Sequence, residues 1–268
     1  MKLLLPAVLL FFIATTSNAQ IEASLGAGAM IPTGRFSNPL NTAWGPSFNI
    51  GIKPFKKQNF WVSFDMMPTY LDQIEKRITL VSPGTPETVT TDMNYLTTFN
   101  NFSLTGRYEF PLSKKWTTYA TLSAVYLPVT TRIKIVDPAS EDECVYLEDR
   151  KLMRSHPFGI GLGSGIKFKL GKDYDEGINA YWLDFSVSYL RAPRTEIANL
   201  NQIQTLQPGE VYKIDETNGT PVGITFRNIH TNTTHEHFVM QVQNLPLRML
   251  QLKLTFVMEG MPWSSRKY

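Results

Sequence analysis

Eight segments of this chain alternate apolar residues with small or polar residues at a period of two. They cover residues 21–29, 47–53, 60–67, 101–110, 116–126, 158–170, 181–189 and 250–258. Because successive side chains of a β-strand point to opposite faces, each segment predicts a strand with one apolar face and one polar face. No charged residue lies on the apolar face in the centre of any of these segments. The chain must therefore keep the apolar faces of eight strands away from water.

The composition of the second face decides between two β architectures. A soluble sandwich leaves its outer face wet, so that face is rich in Lys and Glu. Here the second face consists mostly of Gly, Ser, Thr and Asn, with a few charges of both signs. A transmembrane barrel turns its apolar face to lipid and its small polar face inward. The pattern favours an all-β fold, an eight-stranded antiparallel up-and-down transmembrane β-barrel, and a soluble secreted sandwich is the alternative.

The lengths of the connections agree with a barrel. The segments KPFKKQN, PLSKK and GKDYDEG after strands two, four and six are short, and long loops are predicted at 32–43, 71–94, 129–155 and 192–235. Short periplasmic turns and long outer loops are typical of outer-membrane barrels. Alternation within 88–92 and 222–228 also predicts that some strands extend above the membrane as hairpins.

The first 19 residues have the pattern of a secretory signal peptide. Lys2 precedes an apolar run, and Ser17 and Ala19 before Gln20 suit cleavage after Ala19. An N-terminal membrane anchor is the alternative, but the run is shorter than the roughly 20 residues of a spanning helix. We therefore expect residues 20–268 to form one outer-membrane β-barrel domain, located in the outer membrane of a Gram-negative bacterium after cleavage.

Charge and cysteine content exclude several classes. The formal net charge of +3 does not favour a nucleic-acid partner. The single Cys144 cannot form an intramolecular disulfide, so the fold must hold without one. The expected partners are outer-membrane lipid and, through the long loops, other envelope proteins.

The stretch LGAGAMIPTGRFS at residues 25–37 resembles the first strand and loop of the porin-like outer-membrane β-barrel family. Members begin with a signal peptide and a glycine-rich first strand that runs into a Pro-Thr-Gly turn. The resemblance implies an integral outer-membrane protein and brings no catalytic residues with it. One departure is that the chain continues past Met258 as EGMPWSSRKY, where Arg266 and Lys267 interrupt the alternation before Tyr268. Strand eight is therefore predicted to end near Phe256.

An eight-stranded barrel is just wide enough for side chains to fill its interior. The predicted inward charges are Glu22, Lys53, Asp65, Arg107, Glu109, Lys167, Lys169, Asp184 and Lys253. One interpretation is a plug of ion pairs that satisfies buried charges, in which the GKDYDEG turn brings Lys167 or Lys169 near Asp184. The other is a narrow ion or solute path lined by these charges.

Glycines occupy the inward face of strand six, in HPFGIGLGSGIKFKLG. They are Gly159, Gly161, Gly163 and Gly165. Their spacing differs from the G-x-G-x-x-G of dinucleotide sites, and no helical pattern follows. The missing side chains are predicted to make room for bulky neighbours such as Trp182, Tyr119 or Trp61, or to leave a small cavity.

Two pairs of residues that contain histidine are candidates for chemistry. His235 and His237 in HTNTTHEH share a strand face that suits a metal ligand pair, although solvated histidines are the alternative and HEH lacks the HExxH spacing. Ser155 and His156 are adjacent, so their side chains diverge and do not form a nucleophile–base pair directly. We expect no metal, no cofactor and no enzyme activity.

The sequence thus predicts a non-enzymatic structural or interaction protein with a filled lumen, for example a subunit of an envelope assembly. The first alternative is a small porin-like transporter for ions or small apolar solutes. The second is a lipid-modifying enzyme at the outer rim.

Overall fold

The computed structural model describes residues 20–34, 41–55, 58–81, 88–136, 146–171, 178–199, 220–227 and 234–260. This part of the chain is almost entirely antiparallel β-structure. Its strands are β1 (Gln20–Pro32), β2 (Ala43–Lys53), β3 (Phe60–Val81), β4 (Thr88–Pro111), β5 (Trp116–Tyr126), β6 (Val129–Val136), β7 (Tyr146–Ser155), β8 (Phe158–Leu170), β9 (Ile178–Asn199), β10 (Thr220–Arg227) and β11 (Thr234–Gly260). Among the described residues there is no helix with the length and apolar character needed to cross a membrane.

Eight of these strands close into a ring. Around it the order is β1, β2, β3, β4, β5, β8, β9 and β11, and every neighbouring pair is antiparallel. The ring closes where β1 pairs with β11, from Ile21 opposite Gly260 to Pro32 opposite Met249. Closure leaves no free sheet edge in this zone. The eight-stranded antiparallel barrel predicted from the alternating segments is confirmed.

Strands β6 and β7 continue β5 and β8 beyond the ring. β4 pairs with β6 up to Phe99 and with β5 from Phe102 onward. β5 and β6 therefore lie one after the other along the same side of β4. Two prolines, Pro128 and Pro157, interrupt the two long strands at the same level, because proline has no N–H for the ladder. The Leu127 amide still donates to the Pro157 carbonyl at 2.9 Å. The β6–β7 hairpin is therefore an upward extension of the β5–β8 hairpin.

The long connections predicted at 71–94, 129–155 and 192–235 do join neighbouring ring strands, but the structure shows that much of their length is itself β-strand. β3 continues to Val81 and β4 begins at Thr88, β6 and β7 lie within the third loop, and β10 pairs with the upper part of β11. The predicted hairpins at 88–92 and 222–228 are confirmed for the described residues up to 227. The predicted end of strand eight near Phe256 was also wrong, since β11 extends to Gly260.

The reason for the extension is visible along β4, where the apolar face changes sides. In its lower part the exposed outward residues include Leu104 and Tyr108, and the inward ones are polar. In its upper part Tyr95 and Phe99 are inward and fully buried, whereas Thr98 is outward. The barrel consequently has a lower zone that is apolar outside and an upper zone that is apolar inside.

The upper zone has a hydrophobic core of its own. The core residues are Met30, Ala43, Met67, Tyr95, Phe99, Val125, Leu127, Val129, Ile133, Met153, Leu190, Ala192, Ile197, Ala198, Leu247 and Met249. They come from the upper ends of the ring strands and from β6 and β7. Because this interior is apolar and its outer face is polar, the upper zone is built like a water-soluble protein.

The lower zone is surrounded by a belt of exposed apolar side chains, which we call the apolar belt. Every ring strand contributes to it, through Ile21, Leu25, Trp44, Phe48, Ile50, Phe60, Phe64, Leu104, Tyr108, Phe110, Trp116, Leu122, Phe158, Ile160, Leu162, Ile166, Leu183, Phe185, Tyr189, Leu254, Phe256 and Met258. Aromatic pairs mark both edges, with Trp116 against Phe168 at 4.6 Å and Tyr126 against Phe158 at 4.7 Å between ring centroids. Trp116 and Tyr126 are the two ends of β5, and a tilted strand of that length rises about 25 Å.

Two inward glycines of β8 lie where neighbouring side chains enter the lumen. A Cβ atom at Gly165 would overlap the phenol of Tyr119 and would lie 2.8 Å from the backbone oxygen of Phe185. A Cβ atom at Gly163 would overlap the Ser188 hydroxyl. The structure thus places the Tyr119 ring in the space that a side chain at 165 would take.

We predict that Gly165→Ala lowers the free energy of unfolding by about 1–3 kcal/mol, because the new methyl group overpacks against Tyr119 and the β9 backbone. The measurement is urea unfolding in detergent micelles, followed by tryptophan fluorescence. Gly106→Ala is the matched control, since a Cβ there would have its nearest contact 3.5 Å away on the Phe60 ring. Equal stability of the two variants would contradict the packing argument.

Candidate functional site: the filled lumen

A network of four buried charges fills the lumen near the end of the barrel where the short turns lie, which we call the turn end. Arg107 donates to both carboxylate oxygens of Glu22, at 2.7 and 2.5 Å, and also lies 3.1 Å from Glu109. Lys167 donates to Glu22 at 3.3 Å and to Glu109 at 3.1 Å. The side chains of Glu22 and Lys167 are each 1% exposed. Three ring strands, β1, β4 and β8, are thereby joined across the interior. We call these four residues the charged plug.

Two tryptophans enclose the charged plug. The Arg107 guanidinium lies 5.0 Å from the Trp61 ring centroid, and the Lys167 ammonium lies 5.3 Å from that of Trp182. Cation–π attraction of this kind is stronger where the cation is removed from water. Lys53 and Lys169 approach the same two rings from the turn side, at 5.8 and 5.9 Å. The predicted lumen lysines of the turn end therefore pack on aromatic rings.

Asp65 and Asp184, two further acids predicted to face inward, have partners of their own. Asp65 accepts hydrogen bonds from Lys253 at 2.8 Å and from Thr105 at 3.0 Å. Asp184 accepts from the Tyr119 hydroxyl, at 2.7 and 2.9 Å. Lys167 is the register partner of Asp184, as the turn predicts, but its ammonium bonds to Glu22 and Glu109 instead.

A small cavity of about 50 Å³ lies between the charged plug and the upper core. Its wall is mainly hydroxyl groups, including those of Ser47, Ser63, Ser103, Thr121, Ser123 and Ser186. A water molecule needs roughly 10–15 Å³ of such space, so the cavity has room for a few. Leu190 belongs both to the cavity wall and to the hydrophobic core above it. In the described part of the chain, the lumen therefore has three layers: the charged plug, a cavity lined by hydroxyl groups together with Asp65, Asp184 and Lys253, and the apolar core.

The other predicted candidates do not join this site. His156 is exposed at the upper edge of the apolar belt, where its ring stacks on Tyr126 and its Nδ1 lies 2.5 Å from the Tyr126 hydroxyl. His235 and His237 pair with Phe226 and Ile224 in the β10–β11 ladder, and their side chains lie outside the described residues. Residues 1–19, Cys144 and Tyr268 lie outside them as well. Where the structure is described, no three His, Cys, Asp or Glu side chains group together to hold a metal.

Fold and lumen together define a closed eight-stranded antiparallel barrel with a filled interior.

No known family pattern and no curated protein matches the sequence. Among solved structures, neisserial surface protein A (NspA) is similar at 11% identity and a TM-score of 0.38, over 91% of this chain and 96% of that one. Ail, the attachment invasion locus protein of Yersinia pestis, is similar at 11% identity and a TM-score of 0.38, over 90% and 97%. The outer membrane protease OmpT from Escherichia coli is similar at 8% identity and a TM-score of 0.28, over 92% and 97%.

We predict that Glu22→Ala lowers the free energy of unfolding by about 3–5 kcal/mol, because it leaves the two buried cations Arg107 and Lys167 with only Glu109 as a carboxylate partner. Asp149→Ala is the matched control, since Asp149 also receives a bidentate arginine, Arg132, but on an exposed surface. That variant should lose at most about 1 kcal/mol. Guanidinium unfolding in micelles measures both, and similar small losses would show that the charged plug does not stabilise the barrel.

Proposed function

We propose that this protein is an integral outer-membrane β-barrel that does not conduct and that acts as a non-enzymatic structural or interaction protein. The observation that carries the proposal is the reversal of the apolar face between the lower and upper zones. A wall that is apolar outside around a polar, ion-paired interior suits lipid, and an upper zone with the opposite arrangement suits water.

The apolar belt supports insertion in a membrane. Its side chains include Leu25 at 58%, Leu122 at 61% and Leu162 at 60% exposure, which a water-soluble monomer rarely shows over a continuous surface. Its height of about 25 Å matches the apolar band of outer-membrane barrels. We place the short turns and the paired ends of β1 and β11 in the periplasm and the upper zone outside, in a Gram-negative outer membrane.

The layered lumen supports a barrel that is closed to solutes. A conducting path would have to pass the charged plug, where Arg107 and Lys167 are held by Glu22, and then the hydrophobic core around Phe99 and Met249. Separating buried ion pairs leaves uncompensated charges and is costly. Among the described residues, the hydroxylated cavity favours the alternative, a porin-like transporter. Transport through it would require both the charged plug and the hydrophobic core to move aside.

The upper zone is where we place the interaction role. Its strands form a rigid scaffold with a polar outer face that includes Arg132, Lys151, Arg154 and Glu196. Recognition surfaces are commonly carried on such projecting elements. Other envelope proteins are the partners that this location suggests. Among the described residues, the feature that favours an enzyme is the Tyr126–His156 contact at the rim. It lacks a nucleophile, and we assign it no catalytic role.

We predict that Leu122→Arg impairs insertion, because a lipid-facing arginine at the middle of the belt costs about 2–4 kcal/mol. The measurement is the yield of the heat-modifiable, fast-migrating folded form after addition of the unfolded protein to lipid vesicles. Asn244→Arg is the matched control, since Asn244 is exposed on β11 in the upper zone, opposite Glu196. A soluble protein would tolerate both changes equally, and that result would contradict the membrane proposal.

We also predict that the wild-type protein gives no steady conductance steps in planar lipid bilayers, since the charged plug and the core block the lumen in series. The same preparation must show the heat-modifiable form on a gel, and an established porin serves as positive control. Steady steps whose ion selectivity changes in Lys253→Glu would contradict the closed barrel and support the porin-like alternative.

A further inference from the structure

We propose that Arg191, Arg194 and Arg248 form a binding site for the phosphate group of an anionic lipid in the outer leaflet. We call these three residues the arginine patch. The inference rests on the proposed membrane function, because the lipid reaches this site only if the apolar belt lies in a bilayer.

The first observation is an unfavourable pair. Arg191 of β9 and Arg248 of β11 are directly opposite in the antiparallel ladder, and both are exposed on the outer face. Cβ atoms of such a pair are about 4.5–5.5 Å apart, and like charges in this arrangement destabilise a sheet. Arg194 is exposed further up β9, opposite Pro246. Three guanidinium groups therefore lie close together on two neighbouring strands. A bound anion would offset the repulsion between them.

The second observation is that these arginines are not neutralised by the protein as others are. Arg107 and Arg132 each form bidentate contacts with a carboxylate. The ion pairs among the described residues include none to the arginine patch. The exposed carboxylate of Glu196 lies on the same strand but further from the belt. The guanidinium groups next to the belt are therefore available to an external anion.

The third observation is the position, which selects a lipid rather than a soluble anion. Arg191 follows two residues after Tyr189 of the apolar belt and lies opposite Ile160 on β8, which is 58% exposed. Arg248 precedes Leu250 by two residues on the neighbouring strand. A ligand here meets cations above and a continuous apolar surface below. A phosphate joined to acyl chains has this arrangement of charge and apolar surface.

The fourth observation is the type of cation. Guanidinium groups bind phosphate oxygens through pairs of parallel hydrogen bonds, whereas an ammonium group acts as a point charge. At the opposite edge of the belt, the exposed cations among the described residues are the lysines Lys114 and Lys115, in the turn between β4 and β5. These two lysines make a matched control at the other membrane face.

The test uses phosphatidic acid, a phosphate monoester lipid, as the probe. The full barrel is reconstituted in phosphatidylcholine nanodiscs with and without a minor fraction of phosphatidic acid, and bound lipid is counted by native mass spectrometry. We expect the wild type and Lys114→Ala/Lys115→Ala to retain phosphatidic acid equally. Arg191→Ala/Arg248→Ala should bind it roughly tenfold or more weakly, the loss that removal of charged hydrogen bonds produces.

Stability gives an independent readout. In phosphatidylcholine alone, Arg191→Ala/Arg248→Ala should unfold at the same or a higher urea concentration than the wild type, because the like-charge pair is removed. With phosphatidic acid present, the order should reverse, because only the wild type gains from the bound lipid.

Four results would overturn the lipid site. Equal retention of phosphatidic acid by the double arginine variant would place the binding elsewhere. Full displacement by inorganic phosphate at equal concentration would show that acyl chains contribute nothing. A wild type that fails to enter the nanodiscs would overturn the proposed function and this inference together. Normal insertion without phosphatidic acid binding would overturn the inference alone.

Discussion

The carboxylate of Glu22 is the contact on which the rest of the lumen depends. It is buried on β1, next to the seam where the first and last strands close the ring, and it receives both Arg107 and Lys167. These two cations in turn hold Glu109 and lie against Trp61 and Trp182. Each group in such a cluster is stable only because the others remove its desolvation cost. The interior at the turn end is therefore a single cooperative unit.

Above this unit, the apolar side chains of the same strands change from the outer face of the wall to the inner face. The wall between Trp116 and Tyr126 is apolar outside, whereas Tyr95, Phe99 and Ile133 are buried inside the upper zone. Pro128 and Pro157 lie at the level of the change, where β5 gives way to β6 and β7 to β8. The same ring strands thus form a lower wall that is apolar outside and an upper zone that is apolar inside.

Much of the lower zone could be predicted from the sequence, because a period of two specifies which residues share a face. That argument predicted the eight ring strands, and it assigned Glu22, Arg107 and Lys167 to the inward face, where the structure buries them. It did not predict Glu259, which lies beyond the predicted end of strand eight. It could not find the partner of Lys167, since the neighbour in the ladder is Asp184 but the bonds cross the lumen to β1 and β4. Such contacts depend on closure of the ring, which no local pattern encodes.

The upper strands were predicted only in part, at 88–92 and 222–228, for a different reason. Their apolar residues change phase, as where inward Phe99 is followed by outward Phe102 and Leu104, so the alternation breaks and the segments look like polar loops. The many Thr and Asn residues of 88–101 strengthen that impression. The signal that was available is the alternation of Tyr95, Thr97 and Phe99 considered by itself. The alternation of apolar residues, taken separately for the upper half of β4, predicts that Tyr95 and Phe99 share a buried face.

The seam between β1 and β11 also determines when the molecule can fold. The bond from Lys167 to Glu22 joins residues 145 positions apart, and the seam joins the two ends of the domain. Contacts of such long range form late, because the chain must first lose the entropy of a large loop. Until the last strand arrives, Glu22, Arg107 and Lys167 have no closed lumen around them and remain hydrated. The charges that hold the finished lumen together therefore find their partners only in the last stage of folding.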